Sequence, residues 1–112
     1  MAEINVEKTW NFGTKDLTAT TTIYEVLELR GGESVTIKAL TGNSGSVYIG
    51  SNSTLKTTNG YELANGEAVT FTLPISFGKG NYIKIYAVCA TAGDDVCYIK
   101  LIDLAPETAA AT

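Results

Sequence analysis

What most limits the folds open to this chain is a two-residue alternation that glycine keeps interrupting. Val35, Ile37 and Ala39 alternate with Ser34, Thr36 and Lys38, and Val69, Phe71 and Leu73 alternate with Thr70 and Thr72. Successive side chains of an extended strand point to opposite faces, so this pattern describes strands with one dry side and one wet side. The same reading places strands at 4–12, 23–29, 34–40, 46–50, 68–73, 82–89 and 96–102, with a further short one near Leu55 or Tyr61. Between them lie Arg30-Gly31-Gly32, Gly42-Asn43-Ser44-Gly45, Asn59-Gly60, Asn65-Gly66 and Gly78-Lys79-Gly80-Asn81, all built from turn-forming residues. Apolar spacing of 3.6, the mark of an amphipathic helix, is not sustained anywhere. Seven or eight short strands joined by glycine-rich turns predict an all-β fold, an antiparallel β-sandwich of jelly-roll or Greek-key type.

A chain of 112 residues suits a single core. The reading is one sandwich domain over 1–104, with 1–12 as a candidate N-terminal arm. A tail at 105–112 lacks any large apolar anchor and is expected to fray after Pro106. The segment between Cys89 and Cys97, centred on Gly93, reads as a hairpin loop. On that basis Ile83, Ile85, Ala87, Cys89, Cys97, Ile99 and Leu101 form one inner row, and Tyr82, Lys84, Tyr86, Tyr98 and Lys100 form the outer one. The two cysteines would then face each other across the strands. Buried free thiols fit a cytoplasmic product better than a bridge, because such proteins seldom keep disulfides. There is also an internal echo: Leu29-Arg30-Gly31-Gly32-Glu33-Ser34-Val35-Thr36-Ile37 aligns with Leu63-Ala64-Asn65-Gly66-Glu67-Ala68-Val69-Thr70-Phe71, 34 residues on. Either two Greek-key halves are related by a pseudo-twofold axis, or two similar turns solve the same local problem.

Charge and composition remove most chemistry. Eight Lys+Arg against twelve Asp+Glu give a net charge of −4, which disfavours a nucleic-acid or anionic-membrane partner. The absence of histidine excludes Ser-His, Cys-His and His-metal mechanisms, and two cysteines alone make a poor zinc site. No calcium-loop or phosphate-loop pattern is present, so no cofactor or metal is expected. Carboxylates remain, but paired catalysis needs two of them about 5–9 Å apart across a cleft. Asp94 and Asp95 read instead as a solvated turn. The chain is therefore expected not to be an enzyme. The opening Met1-Ala2-Glu3-Ile4-Asn5 has no basic region followed by an apolar stretch, so a soluble chain made in a cytoplasm is expected.

Binding has better candidates. Trp10 and Phe12 close the first periodic segment, ahead of Gly13. Trp10 either caps one end of the sandwich or anchors a partner, as exposed tryptophans often do. Tyr48, Tyr82, Tyr86 and Tyr98 would suit stacking on sugars, or would simply cover a sheet face. The threonine-rich stretch 18–22 lacks the regular spacing of an ice-binding array.

Three segments taken together resemble a known family. They are Val47-Tyr48-Ile49-Gly50, then Thr57-Thr58-Asn59-Gly60-Tyr61-Glu62-Leu63-Ala64-Asn65-Gly66-Glu67-Ala68-Val69, then Tyr82-Ile83-Lys84-Ile85-Tyr86-Ala87-Val88. The run is similar to the small β-sandwich virion proteins of tailed bacteriophages, the capsid decoration (cement) and head-fibre types, and it spans about half the chain. Asn65 stands where the family often has proline before Gly-Glu, and the segment 74–80 is longer than usual. The resemblance implies a non-enzymatic structural protein, made in the host cytoplasm and carried on the virion. It implies the major capsid protein as partner, met on its outer surface, and a homo-oligomer, a trimer by preference. The arm ending at Phe12 would pair with a strand of the shell protein. The resemblance carries over no site motif, so Trp10 and Phe12 stand as interface candidates on chemistry alone. A carbohydrate- or receptor-binding module, tail-associated or free-standing, is the alternative.

Overall fold

A computed structural model of the chain describes residues 8–103. Eight strands follow one another: β1 (Lys8–Leu17), β2 (Tyr24–Arg30), β3 (Ser34–Ala39), β4 (Val47–Gly50), β5 (Tyr61–Leu63), β6 (Ala68–Thr72), β7 (Tyr82–Cys89) and β8 (Asp94–Asp103), with one 3-10 turn at Ile75–Phe77. They form two antiparallel four-stranded sheets, ordered β1-β8-β3-β6 and β2-β7-β4-β5. Two Greek keys folded into facing sheets in this order make a jelly roll, the expected all-β sandwich. Leu17, Leu29, Val35, Ile37, Val47, Leu63, Ile85, Cys89 and Val96 fill the space between the sheets, and each is almost completely buried.

The echo in the sequence is a real structural relation. Exchanging β2-β3-β4 for β5-β6-β7 leaves the order of the second sheet unchanged and swaps the neighbours β3 and β6 in the first. The relation passes through the cross-strand pair Thr36↔Thr70, whose hydroxyls lie 2.8 Å apart. Both crossings from the second sheet to the first, β2 to β3 and β5 to β6, use the same corner. Gly32 (φ 86°) and Gly66 (φ 78°) occupy the left-handed position that the turn demands and that side chains other than glycine strain to reach. The following glutamate then reaches back. Glu33 Oε1 accepts from Arg30 N–H at 2.8 Å and Glu67 Oε1 accepts from Ala64 N–H at 2.7 Å, which fixes each corner by a charge-assisted bond.

The last two strands correct the hairpin expectation. β7 and β8 belong to different sheets, and residues 90–93 carry the chain across the edge of the sandwich. β8 inserts between β1 and β3. Its alternation is therefore opposite to the one the hydrophobic row suggests. Val96, Tyr98 and Lys100 turn inward, while Cys97, Ile99 and Leu101 turn outward. The polar inner row is held by specific contacts. The Tyr98 ring lies across Gly13, where an added Cβ would come within 2.3 Å of it. Lys100 Nζ meets Glu33 Oε1 at 3.1 Å and donates to Glu28 O, with both charged side chains largely removed from water. The cysteines do not face each other. Cys89 is buried in the second sheet, with its Sγ 3.4 Å from Leu17 O, while Cys97 lies outward in the first, and both are free thiols. Burial, with the nearby Asp94 charge, pushes the Cys89 thiol above its ordinary 9.0.

Other corrections are local. The first strand runs on through Gly13 to Leu17 and pairs with β8 from Lys8, so residues 8–12 of the expected arm belong to the sheet. Residues 1–7 of that arm and the tail at 105–112 lie outside the described residues. The short strand is at Tyr61; Leu55 belongs to a loop.

Candidate functional site

The outward surface of the first sheet is assembled by the β1–β8 ladder. Trp10 pairs with Leu101, Phe12 with Ile99 and Thr14 with Cys97, so all six share one face. Ile99 is also opposite Thr36 of β3, which continues the face towards Thr70 of β6. Phe12 is 68% exposed, Trp10 57% and Ile99 41%, although large apolar side chains in a small domain are normally drawn inward. Trp10, Phe12, Ser34, Thr36 and Ile99 outline a shallow groove of about 370 Å³. Trp10 thus lies on the face of the sandwich, and it does not cap the end. Sequence reasoning found Trp10 and Phe12 but assigned Ile99 and Leu101 to the core. The signal that could redirect it is the alternation of Trp10 and Phe12 with polar residues in β1, a face that Ile99 and Leu101 continue once β8 pairs with it.

At the other end of this face the chemistry is acidic. Asp16 and Asp95 are direct cross-strand partners. A hydrogen bond between the two carboxyls, then burial, then the like charges of Asp16 and Asp94, push the Asp95 carboxyl above its ordinary 3.8. Asp95 Oδ1 is buried and has no hydrogen-bond partner among the described residues, which disfavours the charged form of this carboxyl. Asp94 does not belong to a solvated turn. It is 4% exposed, and its two oxygens accept from the backbone N–H groups of Ser44 and Gly45 at 2.8 and 2.9 Å. Asn43 completes the latch, donating to Asp95 O and accepting from Asp95 N–H, each at 2.9 Å. The Asp94 carboxylate and the Asn43 side-chain amide thus fasten the 42–46 loop to β8.

The outward surface of the second sheet has a different character. Glu25 is paired with Lys84 at 3.4 Å and Glu28 with Arg30 at 3.3 Å, and the Arg30 guanidinium lies 5.2 Å from the centre of the Tyr82 ring. The Glu25 carboxylate, by hydrogen bond and charge, raises Lys84 above its ordinary 10.5. Tyr82 and Tyr86, with Ser51, Asn52, Ser53 and Lys84, border an open depression. Of the tyrosines considered for sugar stacking, these two keep an outward ring, while Tyr98 is turned onto Gly13. Between the sheets, the interior opens on the β5–β6 side as an apolar cleft of about 450 Å³ lined by Leu29, Ile49, Val69, Phe71 and Ile83. Among the described residues no group of three or more His, Cys, Asp or Glu side chains is placed to hold a metal ion.

Comparison with protein-family models, with curated proteins and with solved structures finds no match.

Proposed function

We propose that this chain is a non-enzymatic structural protein of a phage particle that docks on the outer surface of the capsid through the outward face of the β1-β8-β3-β6 sheet. The observation that carries the reading is the row Trp10, Phe12 and Ile99, left outside by a strand register that could have hidden the last of them. Aromatic side chains on a rigid sheet lose little entropy on docking and bury much area, which is why such residues anchor protein interfaces. Of the carboxylates, the groups nearest to catalytic chemistry in a chain without histidine, Asp94 holds a loop and Glu33 and Glu67 each fix a corner. The jelly roll is a frequent fold of viral shell proteins, but it also serves lectins and enzymes, so the fold alone does not choose.

The test is quantitative mass spectrometry of purified particles, with the major shell protein as internal reference. A copy number comparable with that of the shell protein is expected. A few copies per particle would move the chain to neck or tail, and absence from particles would overturn the virion reading. Trp10→Ser and Phe12→Ser are expected to abolish incorporation while the protein stays folded.

The depression beside Tyr82 and Tyr86 supports a second reading, a carbohydrate- or receptor-binding module. In that case Tyr86→Ala removes glycan binding and Phe12→Ser does not.

A further inference from the structure

A sandwich of two open sheets has four edge strands, and each is a row of unpaired backbone donors and acceptors that invites another strand. Three of the four are blunted here. β2 carries a bulge between Glu25 and Leu27, β5 has only three residues, and β6 has five and runs into Pro74. β1 is different. It has ten residues, contains no proline, and keeps an unbroken register with β8 from Lys8 to Leu17. Its Lys15, a residue type that often guards an edge, is folded under the sheet with Nζ 5.8 Å from the centre of the Tyr24 ring.

We propose that two copies of this chain pair antiparallel through β1, with Phe12 of each copy on the twofold axis. The register follows from charge. If the apolar faces of both copies are to stay on one side, residues of like parity must oppose each other. Centring on Phe12 sets Lys8 opposite Asp16, twice by symmetry, with Trp10 opposite Thr14 and Phe12 opposite Phe12. Centring on Trp10 or Asn11 puts Lys8 against Phe12 or Thr14, and centring on Gly13 or Thr14 puts Asp16 against Trp10 or Phe12, so each of these registers loses the two opposite-charge pairs. The favoured register also brings a cation beside Asp16 and Asp95, two acids that have no basic partner among the described residues. Opposite charges facing each other across antiparallel strands stabilise the pairing, and like charges oppose it.

The product is one continuous eight-stranded sheet with two jelly rolls on the same side. The Trp10, Phe12 and Ile99 rows of both copies merge into a single apolar face on the other. The pairing does not depend on what that face docks against. It also predicts a twofold assembly, where the family resemblance implies a trimer.

Sedimentation of the full chain tests it. A single strand pair buries less than the roughly 1,200 Å² of a standard interface, so the measurement belongs at about 100 μM protein and low salt. A dimer is expected. Asp16→Lys should convert it to a monomer, and adding Lys8→Asp to that variant should restore the dimer, because the charges are then complementary again. In a Cys97→Ser background, Phe12→Cys should give a disulfide-linked dimer on mild oxidation, since Cα atoms directly opposite in an antiparallel ladder lie about 4.5–5.5 Å apart, within reach of a disulfide. A wild-type monomer or trimer overturns the proposal. So does a dimer indifferent to the Asp16 reversal, or one that Phe12→Cys does not link. None of these outcomes bears on whether the protein is found on particles.

Discussion

On the second sheet the outward surface is largely covered, with Tyr82 left exposed at its rim. The loop 51–60 folds over β4 and β7 and presses Leu55 down to 4% exposure, against Gly50, Gly60 and Tyr48, and beyond that plug the charges of β2 and β7 lie in pairs. On the first sheet no loop among the described residues performs that office, and Trp10, Phe12 and Ile99 stand in the open. The two sheets have the same number of strands and share one core. The contrast therefore separates apolar groups that serve the fold from apolar groups that serve something outside it. A core side chain is one whose removal leaves a hole, and an interface side chain is one whose removal leaves the monomer as stable as before.

That distinction can be broken experimentally. The largest effect is expected at the plug. Leu55→Ala should lower unfolding free energy by about 2–4 kcal/mol in urea titration, because the cavity between the loop and the sheet cannot collapse onto backbone already held by β4 and β7. A loss as small as that of an exposed residue would mean that the second face is no more closed than the first.

A smaller effect, of opposite sign, is expected at the acidic end of the bare face. The folded state holds a proton on Asp95 more tightly than the unfolded chain does. Stability from that carboxyl is therefore complete below the ordinary carboxylate pKa and is lost as pH rises through the elevated one. Asp95→Asn should raise the melting temperature at neutral pH, with the gain shrinking as melts are taken down through the carboxylate range towards about pH 3. A gain that did not vary with pH would exclude the raised Asp95 carboxyl.

The smallest effect is expected at the apolar row. Trp10→Ser and Phe12→Ser should each leave unfolding free energy within about 0.5 kcal/mol of wild type. If Phe12→Ser costs as much as Leu55→Ala, the stripe belongs to the fold and the docking surface must be sought elsewhere.

Much of the architecture could be read from residue order. Alternation located β2, β3, β4, β6 and β7 because each presents a dry face to one core and keeps its polar residues outside. The alternation ends the first strand at Phe12, short of Leu17, because Gly13 interrupts it. In the fold the Tyr98 ring replaces the side chain that Gly13 lacks. The inner row of β8 was read backwards for a reason beyond local chemistry. The residues from Ala90 to Gly93 suit a hairpin and a crossing between sheets equally well, and only the choice of partner strand decides which way Ile99 points. At the candidate site Trp10 and Phe12 were legible, since an aromatic pair beside a glycine stands out. Ile99 was not, because an isoleucine on a strand is core until its neighbours say otherwise.

The position of β8 between β1 and β3 has a kinetic consequence. The strand that joins the two parts of the first sheet is the last of the eight described, and until it is in place β1 has no neighbouring strand in its sheet. β3 and β6 can pair before it is made, but β1 must wait for it. Contacts between sequence-distant strands are slow to form, so the rate-limiting event in this molecule should be the insertion of its last strand. Through that interval Trp10 and Phe12 are borne on an unpaired strand, which makes the nascent chain most prone to aggregate just before β8 is in place.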